Sequence, residues 1–356
     1  MKWIKIIVIV FITILIGLSA FFYFSIKKDL VIGEDLPILE KINLSEFITP
    51  PKEMEIILPR AKLVPDMPKD QLSLLFTGDI MLDRSVWLKT KEAGDYNHPF
   101  QNLDYFFDYD LRIGNLEGTI TNFKSISNGT GGSRFFFTFS PEFLEPLTKY
   151  FNAFDLANNH TLNFGYAGLK QTKDYLDEYG ISYFGDPENV KENLSVIVEK
   201  NNISVGMVGY HDLVAGGFEN TLLEVEKLRP LVDYLVIMPH WGTEYMTDKV
   251  NNSQKTQAHA FIDAGADVII GTHPHVVQPI EEYNGKMIYY SLGNFIFDQY
   301  FSTETQQGLN IAIFLEKGDN IEVKYNILPI VINNNSQPAL ADDVMKVDIL
   351  NKIIKL

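Results

Sequence analysis

The chain reads as an α/β protein, and three observations predict it. Short apolar runs of buried-strand length recur at residues 72–76, 154–157, 203–209, 234–238, 267–270 and 287–290. Segments with apolar residues at helical spacing stand between them, notably 165–179 (Leu169, Tyr175, Leu176) and 254–264. Almost every strand-like run ends in a loop rich in glycine and polar side chains, which is where α/β proteins place their chemistry.

Composition narrows the class. At 356 residues and 46% hydrophobic, the chain can bury a sizeable core, and one large domain is expected after a membrane segment and a linker. Cysteine is absent, so disulfides, thiolate ligands and cysteine nucleophiles are excluded, and a metal site would have to use His, Asp, Glu and Asn. The net charge is −16, and the four lysines of residues 1–28 face no acid there, so the rest is more acidic still. Such a surface repels nucleic acid and anionic lipid.

Residues 1–28 are expected to be a membrane anchor, because 6–26 carry no charge and span about the 20 residues a bilayer-crossing helix needs. A cleaved signal peptide is the alternative, with Ala20 as a cleavage edge, but the apolar run continues past it. Lys2 and Lys5 before the run and Lys27 and Lys28 after it give a slight charge bias. The expected topology is single-pass in the cell membrane with the domain extracytoplasmic. Residues 29–70, broken by Pro37, Pro50, Pro51, Pro59, Pro65 and Pro68, read as a linker, 71–333 as the domain and 334–356 as a C-terminal tail. There is no internal repeat or low-complexity tract.

Within the domain, the first run ends in Thr77-Gly78-Asp79, where Asp79 either faces a site or caps the following helix. Residues 111–119 lead through Gly114 and Asn115 to Glu117, a carboxylate able to bridge two cations or an ordinary surface acid. Gly129 to Gly132 suggest a mobile loop, since no helix start with a phosphate-binding lysine follows. Asn158, Asn159 and His160 follow the next strand, as a turn or as an amide and an imidazole with separate roles. Residues 234–238 deliver His240 at a strand end, with Trp241 able to wall a site and Gly242 permitting a tight turn. His259 falls inside a helix and is set aside.

The stretch GTHPHVVQ, residues 271–278, follows an apolar run. In extended backbone His273 and His275 would share one face, with Pro274 fixing φ between them. Two imidazoles held so suit a metal, although a pair of solvated loop histidines has the same pattern. Asn294 stands at the mouth of the next strand, and 309–315 with 321–325 look like a hairpin through Gly318-Asp319. Asp79, Glu117, Asn159, His160, His240, His273 and His275 thus come from five strand ends. Carboxylate, amide and imidazole without sulfur are ligands for Mn²⁺, Zn²⁺ or Fe²⁺. Their number suffices for two cations about 3.5–4 Å apart bridged by a carboxylate. Unperturbed histidines would lose such cations below about pH 6.5.

GDIMLDR, NLEGTIT, ANNHTLNFG, HWGTEY, GTHPHVVQ and SLGNFIFDQ, in this order over roughly residues 72–300, resemble the poly-γ-glutamate capsule synthesis (CapA-like) proteins, a branch of the metallophosphatase-like superfamily. The resemblance implies a four-layer αββα sandwich of two face-to-face sheets with helices outside, attached to the membrane beside polymer-making machinery. It implies that Asp79 binds one metal, Glu117 bridges, Asn159 and His240 bind the second, and His273 and His275 complete the pair. His160 would be the proton donor to a leaving group. Arg84, Trp241, Glu244 and Asn294, within the same motifs, would contact substrate. Met81 stands where the superfamily has a histidine ligand, Glu117 where the bridge is usually Asp, and Asn163 where CapA-like sequences commonly have Asp. Two functions are expected from this: a divalent-metal hydrolase acting on a phosphoester or on polymer amides, or a non-catalytic accessory subunit that guides an anionic, poly-γ-glutamate-like polymer among the subunits of a synthesis and export complex.

Overall fold

The computed structural model describes residues 70–127 and 135–353. The expected anchor, nearly all of the linker and the loop at 129–132 lie outside the described residues. Among the described residues no helix is long and apolar enough to cross a membrane.

The strands, in chain order, are β1 (Gln71–Ile80), β2 (Leu111–Leu116), β3 (Thr119–Ile120), β4 (Thr138–Phe139), β5 (Ala153–Asp155), β6 (Ser182–Phe184), β7 (Ser195–Lys200), β8 (Ile203–His211), β9 (Tyr234–His240), β10 (Val268–Ile270), β11 (Ile280–Tyr283), β12 (Lys286–Tyr289), β13 (Asn294–Ile296), β14 (Gln307–Lys317), β15 (Ile321–Ile332) and β16 (Pro338–Leu340). The helices are α1 (Arg84–Ala93), α2 (Leu144–Tyr150), α3 (Gly165–Glu178), α4 (Gly217–Leu228), α5 (Asn252–Asp263) and α6 (Asp343–Ile353). This is the expected α/β class.

One sheet has the order β16-β15-β14-β1-β2-β5-β6, with β13 also paired to β1, and the other runs β11-β12-β10-β9-β8-β7. Period-2 alternation decides which residues face which layer. On β1, Leu72, Leu74 and Phe76 enter one core together with Val205, Met207, Val236, Met238 and Ile270 of the second sheet, so the two sheets share that core. Leu75, one step out of phase, enters another with residues of α1, α2 and α3. Leu235, Ile237 and Ile269 face a third core with residues of α4 and α5. Strands covered on both faces must be apolar almost throughout, which is why their runs were conspicuous in the sequence.

Local side-chain caps start two of the helices. Asp83, not Asp79, caps α1, its carboxylate accepting from Arg84 N at 2.7 Å, and α5 opens with a capping box of Asn251 and Gln254. Asp79 is thereby free to face the site. The hairpin of β14 and β15 is longer than its apolar cores suggested, pairing Gln307 with Val331 through Lys317 with Ile321. The stretch after 333, expected as a tail, is built onto the domain. β16 pairs with β15, and Ile349 and Ile353, one helical turn apart on α6, are buried in the core between the sheets.

β1 and β13 approach so closely at Gly78 that a Cβ there would lie 1.9 Å from Gly293 O. Asp79 N donates to that same carbonyl at 3.1 Å. A backbone carbonyl cannot rotate away as a side chain can. Gly78→Ala is therefore expected to lose about 3 kcal/mol, the upper end of the usual overpacking cost. The check is the urea midpoint, which should fall at constant m-value.

Candidate metal centre

The site lies where the C-terminal ends of parallel strands from both sheets meet: β1, β2 and β5 from one, β8, β9 and β10 from the other. Asp79, the penultimate residue of β1, and Glu117, just beyond β2, are both fully buried. His275 follows β10. Single ligand atoms of Asp79, Glu117 and His275 lie within 4.8 Å of one another, so the three form a buried triad that could hold a metal ion.

Each member is held differently. Asp79 Oδ1 accepts from Asn115 Nδ2 at 2.8 Å, and Oδ2 lies 3.1 Å from His275 Nδ1 and accepts from His273 N at 3.3 Å. Asn115 is itself fixed by Asn158, whose Nδ2 donates to its Oδ1 at 3.0 Å. Glu117 has no such support: both oxygens are buried without a hydrogen-bond partner. Its Oε1 lies 3.6 Å from His275 Nε2 and 3.6 Å from His160 Nε2. Buried polar atoms are nearly always satisfied, so two orphaned carboxylate oxygens beside imidazole nitrogens fit a place meant for a cation.

A second group of donors converges beside the first. His240 Nε2 lies 2.9 Å from Asn159 Oδ1 and 3.1 Å from His273 Nδ1. At metal–donor distances of about 2.1 Å, neighbouring donors of one octahedral ion stand about 3 Å apart, so His240 Nε2 is spaced from each of the other two as ligands of one ion would be. His240 Nδ1 lies 3.1 Å from Thr272 Oγ1 and 3.3 Å from Asn115 Nδ2. The amide nitrogen only donates, so in the cation-free protein Nδ1 accepts and Nε2 donates to Asn159 Oδ1. A cation at Nε2 would call for the other tautomer, with the Nδ1 proton given to Thr272 Oγ1.

His273 and His275 reach the centre by a different route from the extended one expected. Their φ angles are +95° and +58°, in the left-handed region. Such backbone costs energy in a residue with a Cβ and persists where surrounding contacts impose it. Here Asp79 takes the His273 amide, and Tyr245 N donates to Pro274 O at 2.8 Å.

His160 sits against the Phe137 ring at 4.3 Å. Asn163 Oδ1 accepts from Phe137 N at 2.7 Å, which fixes its amide orientation and obliges His160 Nδ1, 3.0 Å from the same oxygen, to be the donor. His160 Nε2 is thus the bare nitrogen, and burial holds the imidazole down at about 4. The expected acid is, in this state, a proton acceptor.

The four expected substrate contacts fare unequally. Glu244 is exposed on the loop after β9, close enough that its charge raises Glu117 and His275. Arg84 is buried and paired with Asp298, its guanidinium 5.0 Å from the Phe137 ring. Trp241 does not reach the site. It directly follows His240, the last residue of β9, in backbone that continues the strand's alternation, Trp241 N donating to Thr272 O at 3.2 Å, so the side chain that faces the site at 240 obliges the next to face the helices. It is fully buried there, its Nε1 donating to Tyr290 O at 2.8 Å. Asn294 is also fully buried, its Nδ2 donating to His275 O, Gln299 Oε1 and Thr305 O, and its Oδ1 3.1 Å from His275 Nδ1. It orients His275. His259, set aside earlier, stacks on Tyr283 at 3.8 Å, away from the centre.

His211 is a residue that sequence reasoning passed over. It ends β8 in register with His240, its ring 6.0 Å from that of His240. Its Nδ1 lies 2.7 Å from Pro187 O, and its Nε2 is buried without a partner. The available signal was its place at the end of an apolar run, the rule that found His240.

Electrostatics divides the histidines. Burial pushes Glu117 well above the carboxylate range, with Asp79 adding to it and His275 opposing. Burial alone would lower His275, but Glu117 and Asp79 outweigh it and hold it up at about 9. Near neutral pH His275 therefore carries a proton where a cation would sit. Burial, reinforced by neighbouring imidazoles, lowers His240 well below its ordinary value and His273 to about 3. The sign follows: below about pH 9 a cation entering the triad must expel the proton His275 holds, whereas His273, lowered to about 3, and His240, lowered well below its ordinary value, are already neutral near pH 7 and expel none there. Cation affinity is expected to rise about tenfold per pH unit from 6 to 9 and then level off. Proton release measured calorimetrically in two buffers checks it; a plateau already reached at 6.5 would mean ordinary histidines.

A family model described as "Bacterial capsule synthesis protein PGA_cap" matches residues 73–299. The chain is 32% identical over 309 residues to "PGA biosynthesis protein CapA" of Bacillus subtilis (strain 168), covering 81% of this chain and 78% of that one. It is 27% identical over 307 residues to "Capsule biosynthesis protein CapA" of Bacillus anthracis, covering 80% and 74%. Among solved structures, a hypothetical protein from Thermus thermophilus matches 72% of this chain and 99% of its own at 14% identity and a TM-score of 0.46, a likeness too slight to assign a fold. By motif order, family model and relatives alike, the chain belongs to the bacterial capsule synthesis (PGA_cap) family.

Proposed function

We propose that this protein is a membrane-anchored, extracytoplasmic hydrolase of capsule or poly-γ-glutamate synthesis, built as a metallophosphatase-like sandwich around a divalent-cation centre of up to two ions, Mn²⁺, Zn²⁺ or Fe²⁺. The observation that carries the reading is the pair of unpartnered Glu117 oxygens, buried between His275 and His160. A bound cation would polarise a phosphoester or amide oxygen and make a water more acidic. Asp79, Glu117 and His275 would hold it, with Asn115 and Asn294 fixing their orientation. Asn159, His240 and His273 would hold a second. His160, its Nδ1 tied to Asn163, would take a proton at Nε2 and pass it on.

A second reading has its own support. Met81 stands where the resemblance expects a histidine ligand, and it is buried in the core with its sulfur accepting from Asp83 N at 3.1 Å, so one cation loses a ligand, which favours an accessory subunit that binds and guides the polymer without cleaving it. The relatives' names, PGA biosynthesis and capsule biosynthesis, suit either role. The cation content of the purified full chain, with turnover of an aryl phosphate before and after chelation, tests the pair. Bound cation with chelator-sensitive turnover supports the hydrolase, bound cation without turnover supports the accessory subunit, and no cation refutes the centre.

The anchor, residues 6–26, is part of the same proposal. The native protein is expected to stay with membranes through a high-salt wash and to keep an N-terminus at or near Met1. Recovery of a soluble form beginning near Phe21 would overturn it.

A further inference from the structure

His211 is held from three sides: by its main chain, by its ring and by the residue that follows it. It is paired in register with His240 on the neighbouring strand, and residues in register share a face, so its side chain leaves the sheet on the side of the site. Buried Asn189 fixes its backbone, Nδ2 donating to His211 O and Oδ1 accepting from His211 N, both at 2.9 Å. Asn189 does this from left-handed backbone, φ +54°, which costs energy and is kept where contacts impose it. Asp212 N, the next amide, donates to His240 O at 3.1 Å.

The ring has one tautomer open to it. Pro187 O, 2.7 Å from Nδ1, only accepts, so Nδ1 carries the proton and Nε2 of the neutral ring is a bare acceptor. Nε2 is buried without a partner. His160 is built in the same way, its Nδ1 tied to Asn163 Oδ1 and its Nε2 bare. One such acceptor stands beside Glu117 and the other beside His240. His211 does not join His240 and His273 as a third imidazole ligand. Among the described residues, the His, Asp and Glu ligand atoms that all lie within 4.8 Å of one another are those of Asp79, Glu117 and His275. An acceptor outside ligand range and desolvated without a partner is costly until a donor reaches it.

Resting on the metal reading above, we propose that His211 is a specificity-determining residue of the centre, whose Nε2 accepts a hydrogen bond from an N–H or O–H of the molecule bound beside Asn159, His240 and His273. The centre thereby favours a ligand with a donor at that place over one of the same shape with a methyl group. Asn159 is exposed while His240, 2.9 Å from it, is fully buried, so a ligand enters from the Asn159 side.

The probes are phosphoramidate and methylphosphonate, tetrahedral anions of one shape that carry N–H and methyl respectively. They are titrated, at a pH where both are dianions, into the full chain in detergent with Mn²⁺. The parent is expected to bind phosphoramidate about tenfold more tightly, the worth of pairing a buried acceptor otherwise left unpaired. Two variants separate this contact from a purely structural one, because asparagine places its amide where imidazole has Nδ1 and glutamine where it has Nε2. His211→Asn keeps the bond to Pro187 O and should lose the preference. His211→Gln keeps an acceptor toward the ligand and should retain it, with Mn²⁺ uptake of both variants close to that of the parent. If a variant fails to fold, the parent titrations decide alone. Equal affinities in the parent, which would leave Nε2 to a buried water, overturn the inference, as does binding of neither anion while Mn²⁺ is held. A preference kept by His211→Asn and lost by His211→Gln overturns it as well, leaving His211 a tie to Pro187. Absence of Mn²⁺ from the parent refutes the metal centre, and the inference with it.

Discussion

Glu117→Gln is expected to cut affinity for the first divalent cation by at least about a hundredfold while leaving the cation-free protein more stable than the parent. Removing a hydrogen-bonded neighbour of a metal ligand already costs 10- to 100-fold, so loss of a charged ligand should cost no less. The stability gain has the opposite origin. In the cation-free protein the Glu117 carboxyl is fully buried, both oxygens are unpartnered, and burial drives its pKa up. Glutamine has nearly the same shape, needs no desolvated charge, and its amide can donate toward His160 Nε2, bare because Nδ1 is tied to Asn163. A gain of about 1 kcal/mol is reasonable for exchanging an unpartnered buried acid for a partly satisfied amide. His275 should respond too, since Glu117 is the first of the charges that hold it up against burial. Thermal unfolding in chelator and calorimetric titration with Mn²⁺ read both effects. A variant that melts lower in chelator, or binds Mn²⁺ as the parent does, would show that Glu117 is a structural acid.

The strand ends were legible in the sequence because most site strands are covered on both faces, and so appear as nearly apolar runs followed abruptly by glycine and polar residues, β2 with Arg112 being the weakest of them. Asp79, Glu117, His240 and His275 could be found by that rule alone. The same rule could not say which way a side chain turns. His240 and Trp241 are adjacent and equally plausible on paper, yet strand alternation sends one to the centre and the other to Tyr290. His273 and His275 were placed together by assuming extended backbone, and they do converge, but through left-handed φ angles imposed by Asp79, almost 200 residues away in sequence. Long-range contacts of that kind, like the pairing of β1 with β13 and β14, leave no local trace. Nor do supporting residues: Asn115 and Asn158 lie inside quoted motifs, but only the fold reveals that one holds Asp79 and the other holds Asn115. The final helix was missed because its buried residues, Ile349 and Ile353, are too few to produce a helical pattern in so polar a segment.

His160→Ala is expected to leave the cation content near the parent value while lowering any hydrolysis by roughly 10²–10⁴-fold, the usual worth of a positioned proton-transfer group. His275→Ala should lose cation and hydrolysis together. The contrast rests on what each imidazole does. His275 lies between two carboxylates, Nδ1 at 3.1 Å from Asp79 and Nε2 at 3.6 Å from Glu117, and is one of the three residues whose ligand atoms converge. His160 stands outside that triad, its Nδ1 committed to Asn163 and only Nε2 turned toward Glu117. Low basicity, about 4, keeps Nε2 free to accept a proton throughout the neutral range. The accessory-subunit reading predicts something else: polymer yield in cells would be untouched by His160→Ala and lowered by His275→Ala, because only the second disturbs the centre that shapes the pocket. Cation content by elemental analysis, aryl phosphate turnover and polymer yield for the two variants therefore divide the readings. If His160→Ala strips the cation as fully as His275→Ala does, the imidazole beside Asn159 is a ligand, and the proton must be carried by another group.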